Sequence, residues 1–317
     1  KVLSNLGNLE ILATRDVKSV NFNEVDVDYS KVGDIITSDK VNLAKDEKTI
    51  ISPFFGGGSL EVHWASNHKK VIGYDVFDVL VNFWNILLNK NDEFVSELRK
   101  ISPTKDEYTR VKEQLMCTSN TQNMLSEWKT DTYKRDNIVS LSDVELATYY
   151  YFNHNCSYGP GYLGWGSSVY LTESKWNGMI DKIEKFRVPD MQVKLDSFEN
   201  VLQRHNSEFI YLDPPYYTDT DSDNKMHAAI YPMKNIPVHH DGFDHELLRD
   251  LLKNHKGKFV LSYNNCETIR EYYSEFDQSF PQWNYSMGNG ETRIGKNRKE
   301  MGISNSKESH EILIKNF

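Results

Sequence analysis

The pattern of apolar and polar positions changes character twice along the chain. From Thr49 onward, short β-branched runs alternate with stretches whose apolar residues fall at helical spacing. "TIISPFF" (49–55) ends in a proline and three glycines before "SLEVHWASN", and "KVIGYD" (70–75) precedes "VFDVLVNFWNILLNK". This spacing predicts β-α-β-α. Between about Asn91 and Lys185 the alternation gives way to helices with polar faces, broken by the aromatic, glycine-rich loop "CSYGPGYLGWGSS". Strand-then-helix pairing resumes in "VKLDSFENVLQRH" (193–205), "EFIYLDPPY" (208–216) with the helix "FDHELLRDLLKN" (243–254), and "KFVLSYNNCETIREYYSEF" (258–276). A last strand, "HEILIKNF", closes the chain. Such repeats predict right-handed crossovers in an α/β fold with a Rossmann-like, mixed but mostly parallel sheet, and ligands beyond the carboxyl ends of its strands. One domain is then built from 1–90 and 185–317, with 91–184 as a helical insertion. The polar stretch Ala13–Lys48 has no sustained period and reads as loop with short strands.

The corner "FIYLDPPYYTD" (209–219) breaks this pattern most sharply. Two prolines, with fixed φ and no N–H, cannot continue a central strand, so Asp213 is projected on a rigid turn at the strand's carboxyl end. That arrangement suits chemistry on a planar, weakly nucleophilic amine. The exocyclic nitrogen of adenine has its lone pair delocalised into the ring. A carboxylate from Asp213 and the main-chain carbonyl of Pro214, accepting both of its hydrogens, favour a pyramidal nitrogen, and Tyr216 offers a face for the base to stack on. Pro215 completes the corner. Upstream, Gly56, Gly57 and Gly58 stand where a strand hands over to a helix and let backbone approach a nucleoside-containing cofactor. Asp75 ends the next strand, where a carboxylate can accept from both hydroxyls of a ribose. A nicotinamide-dependent oxidoreductase shares those two features, although it leaves the Asp213 corner without a role.

Composition narrows the partners. At 317 residues, 38% hydrophobic and 26% charged, the chain has no apolar run near the roughly 20 residues that cross a bilayer. Its first dozen residues lack the features of a secretory signal, so a cytoplasmic protein with no membrane partner is expected. Cys117, Cys156 and Cys266 are too scattered for a disulfide framework or a CxxC site and read as free thiols. His239, His240, Asp241, Asp244 and His245 read as a solvated turn into a helix, so no metal is expected. A net charge of -9 disfavours nucleic acid as a partner except through a local basic patch. "TRIGKNRKEMG", with Arg293, Lys296, Arg298 and Lys299, is such a patch.

The motif "DPPY" (213–216) resembles the catalytic motif of the S-adenosylmethionine-dependent amino-methyltransferases. "SPFFGGGSLE" (52–61) is similar to the cofactor motif of their alpha group, the Dam-like DNA adenine methylases. "DVFDVLVNFWNIL" (75–87) resembles that group's ribose-binding segment, and "FVLSYNNCETIREYY" with "EILIKNF" its closing strands. The likeness covers about 49–90 and 193–317, and the cofactor motif precedes the catalytic one with an insertion between them, as in that group. It departs from the group at Ser52, where an acidic residue is usual, and in "NLGNL", where Asn5 and Leu9 replace an aromatic and a lysine beside a fitting Gly7.

The resemblance implies a methyltransferase-type sheet that binds S-adenosylmethionine and releases S-adenosylhomocysteine. Phe54, Phe55 and Gly56 to Gly58 would form its wall and floor, Asp75 would hold the ribose, Asp196 the adenine amine, and Phe198 would pack on that ring. The implied substrate is double-stranded DNA with a flipped adenine, and 91–184 becomes the target-recognition region. There Asn153, Asn155, Tyr158, Tyr162 and Trp165 combine base-edge groups with flat wedges, while Arg293 to Lys299 grip phosphates. A cognate restriction nuclease is an open partner, and a monomer or weak dimer is expected. RNA adenine and protein glutamine remain alternative acceptors, because DPPY serves enzymes acting on those too.

Overall fold

A computed structural model describes residues 40, 42–127, 135–157, 162–217, 242–281, 284–286, 306–308 and 311–317, with 124–127, 284–286 and 306–308 described by backbone alone. The polar stretch before Lys40, the His239–Asp241 turn and the basic patch from Arg293 to Lys299 lie outside the described residues.

The elements follow the predicted alternation. In order they are β1 (Thr49–Ser52), α1 (Ser59–Ser66), β2 (Lys70–Asp75), α2 (Asp78–Asn89), α3 (Asn91–Leu98), α4 (Lys105–Met116), α5 (Ser119–Glu127), α6 (Asp143–Asn155) and α7 (Glu173–Lys185). Then come β3 (Met191–Leu195), α8 (Phe198–Arg204), β4 (Ile210–Leu212), α9 (His245–Lys253), β5 (Phe259–Asn264), α10 (Glu267–Tyr272), β6 (Asp277–Ser279), β7 (Asn284–Ser286), β8 (Ser306–Glu308) and β9 (Glu311–Lys315). Seven strands form one mixed sheet in the order β3-β2-β1-β4-β5-β9-β6, and β7 pairs with β8 separately. β1 and β4 are parallel neighbours with Ile51 opposite Ile210, β4 and β5 are parallel, and β9 runs antiparallel between β5 and β6. The order reverses between β1 and β4, which is where an open α/β sheet leaves a crevice for ligands.

Burial explains the short central strands. Ile210, Tyr211 and Leu212 are all buried, as is every residue of β5, so neither strand shows the alternating burial of a sheet with one face in water. β6, which the sequence pattern did not mark, forms an edge strand on β9, with Ser279 opposite Leu313.

The chain divides into two compact units, one of Lys1–Ile72, Phe198–Tyr217 and Asp244–Phe317, the other of Gly73–Ser197 and Thr218–Phe243. The expected insertion 91–184 falls wholly in the second unit, together with α2 and β3. Aromatic packing accounts for that grouping. On α2, Phe83 lies parallel to Tyr151 of α6 with centroids 5.8 Å apart, and also meets Phe94 of α3 edge-on at 5.8 Å. Phe83, Phe94 and Tyr151 are fully buried, and burying a side chain of this size contributes about 1.5–3 kcal/mol each. α6 begins with a capping box in which Ser142 and Glu145 satisfy each other's backbone N–H, fixing where this aromatic helix starts.

Candidate active site

In the first unit, two loops leave the carboxyl ends of adjacent parallel strands. β1 ends at the buried Ser52 and feeds the turn 53–58, where Gly56 has φ +48° and Gly58 has φ +64°. Both values lie in the left-handed region that glycine occupies without strain. The turn closes through Gly58 N–H donating to Phe55 O at 2.8 Å, and Val62 N–H then donates to Gly58 O to open α1. Phe55 is buried, whereas Phe54 is half-buried and stacks on Phe198 at the start of α8, with centroids 5.5 Å apart. The residues of the predicted cofactor wall thus include an aromatic pair beside three consecutive glycines.

β4 ends at Leu212, and the next residue, Asp213, is exposed directly after three fully buried ones. Pro214 is buried, while Pro215, Tyr216 and Tyr217 are half-buried. The Tyr217 backbone is held by Asn264 at the end of β5: its N–H donates to Asn264 Oδ1 and its carbonyl accepts from Asn264 Nδ2, both at 2.9 Å. The Tyr217 ring meets His245 edge-on at 5.1 Å, and His245 Nδ1 is hydrogen-bonded to the Tyr263 hydroxyl. Burial pushes His245 down to about 4, so its ring is neutral at pH 7.

Behind this corner lies a buried carboxylate that motif reading did not single out. Ser52 Oγ donates to Glu61 Oε1 at 2.6 Å, so a carboxyl group stands beside the strand end even though the strand itself carries a serine. Desolvation raises the Glu61 pKa from 4.5 to about 7; the Ser52 bond opposes the shift, the negative charge of Asp213 adds to it, and Lys40 opposes it weakly. The folded chain therefore holds this proton more tightly than the unfolded chain. Its stabilising contribution is complete below about pH 4.5 and is lost as pH rises through about 7. Glu61→Gln keeps the shape and a partner for Ser52 but cannot titrate. Between pH 4.5 and 8 the wild type should lose on the order of 3 kcal/mol relative to this variant, read from denaturant unfolding across that range. Parallel stability curves for the two proteins would show that Glu61 is not the group responsible.

In the second unit, Asp75 and Asp196 meet at the ends of neighbouring strands, where Asp196 N–H donates to Asp75 O at 3.2 Å. Asp75 Oδ1 accepts from Phe77 N–H at 2.9 Å and Asp196 Oδ1 from Ser197 N–H at 2.9 Å, which fixes the rotamers of both half-buried carboxylates. The sequence-predicted nucleic-acid residues separate into different environments. Asn153 is fully buried and its Oδ1 accepts from Leu163 N–H at 2.7 Å, holding the loop onto α6. Tyr162 is buried with its hydroxyl 2.7 Å from Thr121 Oγ1, and Asn155 caps a helical turn by donating to Tyr151 O. The geometry therefore makes Asn153 and Tyr162 supports of the loop, not groups presented at its surface. Trp165 is 75% exposed, with Lys112 Nζ 5.3 Å from its ring centre. Tyr158 lies outside the described residues. Lys112 had no motif to mark it in the sequence. Among the described residues, no group of three or more His, Cys, Asp or Glu side chains is placed to share a metal ion, and no helix is long and apolar enough to cross a membrane. Cys117 and Cys156 are buried free thiols.

A glycine turn and an Asp-Pro-Pro-Tyr corner at the ends of adjacent parallel strands define an amino-methyltransferase of the α/β type. Residues 34–287 match the family of D12 class N6 adenine-specific DNA methyltransferases, and the chain belongs to that family. It is thus an S-adenosylmethionine-dependent enzyme whose reaction is methylation of adenine N6 in DNA. No curated protein matches it. Among solved structures it is similar to a precorrin 8W decarboxylase from Methanobacterium thermoautotrophicum at 8% identity over 89% of each chain, with a TM-score of 0.33, a likeness too slight to bear on the fold.

Proposed function

We propose that Asp213 and the Pro214 carbonyl hold the two hydrogens of a flipped target adenine while Tyr216 stacks on its ring. The observation that carries this reading is the placement of Asp213: an exposed carboxylate directly after a fully buried strand, on the parallel neighbour of the strand that feeds the glycine turn. When bound, S-adenosylmethionine supplies an electrophilic methyl group on its sulfonium. Phe54, Phe55, Gly56 to Gly58 and Phe198 fit that group because the three glycines present no side chain to exclude it and the Phe54–Phe198 pair offers an aromatic wall. Asp75 serves the ribose and Asp196 the adenine amine of the cofactor.

Catalysis in this scheme is positioning plus electrostatics. The Asp213 carboxylate, already in place, would stabilise without reorganisation the positive charge that the amine gains on taking the methyl group, the carbon–sulfur electron pair leaving with S-adenosylhomocysteine. The ammonium product is acidic enough to lose its proton afterwards, so a strong general base is not needed. Flipping the adenine out of a duplex requires a few kcal/mol, offset by Tyr216 and the two hydrogen bonds. Residues 91–184 carry the sequence readout. Trp165, braced by Lys112, is the exposed wedge of this region, and Arg293, Lys296, Arg298 and Lys299 serve phosphates.

The deciding experiment is to sequence DNA from cells expressing the chain, with detection of N6-methyladenine, beside an in vitro assay offering duplex DNA, single-stranded RNA and protein to labelled S-adenosylmethionine. Methylated adenine at one short DNA motif is expected, and label on RNA or protein alone would overturn the reading. The mapped motif also gives the specificity that a partner restriction nuclease would have to share.

A further inference from the structure

We propose that Asn264 is a positioning residue for methyl transfer, clamping the peptides on both sides of Tyr217 so that the Asp213–Tyr216 corner keeps one shape; this rests on the active-site reading above. Residues 213–217 belong to no strand or helix, so the sheet does not hold them. The prolines at 214 and 215 fix φ at their own positions only. Asn264 fixes the backbone that follows them. Its Oδ1 accepts from the N–H of the Tyr216–Tyr217 peptide, and its Nδ2 donates to the carbonyl of the peptide that follows. A side-chain amide engaged through both of its ends fixes two consecutive peptide planes, and Tyr216 is then anchored before and behind. Asn264 is itself well placed for this work. It is the last residue of a strand buried along its whole length, only 6% exposed, and paired in register with Glu311 of β9. The Tyr217 ring is wedged as well, edge-on to His245 at 5.1 Å and to Tyr272 at 6.3 Å. Neither Asn264 nor Tyr217 needs to touch the base for the corner to depend on them.

Two substitutions separate clamping from filling space. Asn264→Asp preserves size and an acceptor for Tyr217 N–H, but sets its second carboxylate oxygen against the Tyr217 carbonyl. Asn264→Leu preserves approximate volume and removes both bonds. With unmethylated DNA and labelled S-adenosylmethionine, kcat should fall about 100-fold in each, as misplacement of a reacting group by about 1 Å does. KM for S-adenosylmethionine should stay within about two-fold of wild type. Unchanged kcat in both variants, or a rise in cofactor KM matching the loss in kcat, would overturn the assignment. A second measurement needs neither variants nor turnover: in the unmodified protein the Tyr217 amide hydrogen should exchange as slowly as the amides of β5. Exchange at the rate of an open loop would refute the clamp whatever the enzyme methylates. Absence of DNA methylation by the wild type would overturn the functional reading and leave the exchange result to judge the clamp.

Discussion

Asp213→Ala should lose methyl transfer by about 10³-fold or more in kcat while S-adenosylmethionine binds within a few-fold of its wild-type affinity. The size of the effect follows from what the carboxylate does. In the ground state it accepts a hydrogen from an amine that is nearly neutral; in the transition state that nitrogen carries positive charge, so the interaction strengthens as the barrier is climbed. An acceptor realised mainly in the transition state affects kcat more than KM. Asp213→Asn retains one neutral acceptor and should fall between the two. The fold should not suffer. Asp213 is exposed, and its negative charge adds to the upward pressure on the pKa of both Glu61 and Glu311, so removing it relieves two buried carboxyl groups. The variant should therefore unfold at the same denaturant concentration as wild type or slightly higher, which excludes misfolding as the cause of lost activity. Equilibrium cofactor binding beside steady-state turnover checks the prediction, and an alanine variant turning over at the wild-type rate would end the assignment of Asp213 to the chemistry.

Much of this architecture was legible along the chain because its signals are local. The β-branched runs at Thr49 and Lys70 are strands where expected, the glycines at 56 and 58 occupy the left-handed conformations that a strand-to-helix turn asks for, and the double proline ends β4. What stayed hidden depends on three-dimensional proximity. Ser52 breaks the usual acidic pattern, yet Glu61, nine residues on and in the first turn of α1, brings a carboxylate back to the same spot. Nothing in the spacing says that the two side chains meet. Asn264 and Tyr217 are 47 positions apart, and Lys40 lies 222 positions from its partner Ser262. The stretch from Asn153 to Trp165 was hard to read for a related reason. Asparagines and tyrosines look the same in a sequence whether they read bases or hold a loop. Only burial separates Asn153 and Tyr162, packed inside, from Trp165, which stands out beside Lys112.

Lys40→Met should destabilise the protein at pH 7 by on the order of 3 kcal/mol, the usual cost of stranding one member of a buried ion pair, and by less as pH falls. Lys40 and Glu311 form a buried ion pair with both side chains almost wholly out of solvent. Lys40 Nζ also donates to Ser262 Oγ at 2.9 Å, and Ser262 in turn donates to Glu311 Oε1. A buried pair can be neutral in its net effect while the loss of one member is severe, because the survivor keeps its desolvation penalty and loses its compensation. Here a proton limits that loss. Burial already raises the Glu311 pKa against the opposing charge of Lys40, so without Lys40 the carboxyl is neutralised instead of standing charged in the interior. Holding that proton opposes folding increasingly as pH rises above the range in which the unfolded carboxyl titrates. This sets the sign with pH: the defect grows as pH rises and fades as it falls. Lys40→Met combined with Glu311→Leu removes the survivor as well and should recover most of the stability at every pH, whereas two independent lesions would add. Denaturant unfolding of the wild type, both single variants and the double variant at pH 5 and pH 8 measures the coupling. A Lys40→Met defect of equal size at both pH values would mean that Glu311 is not the group left behind.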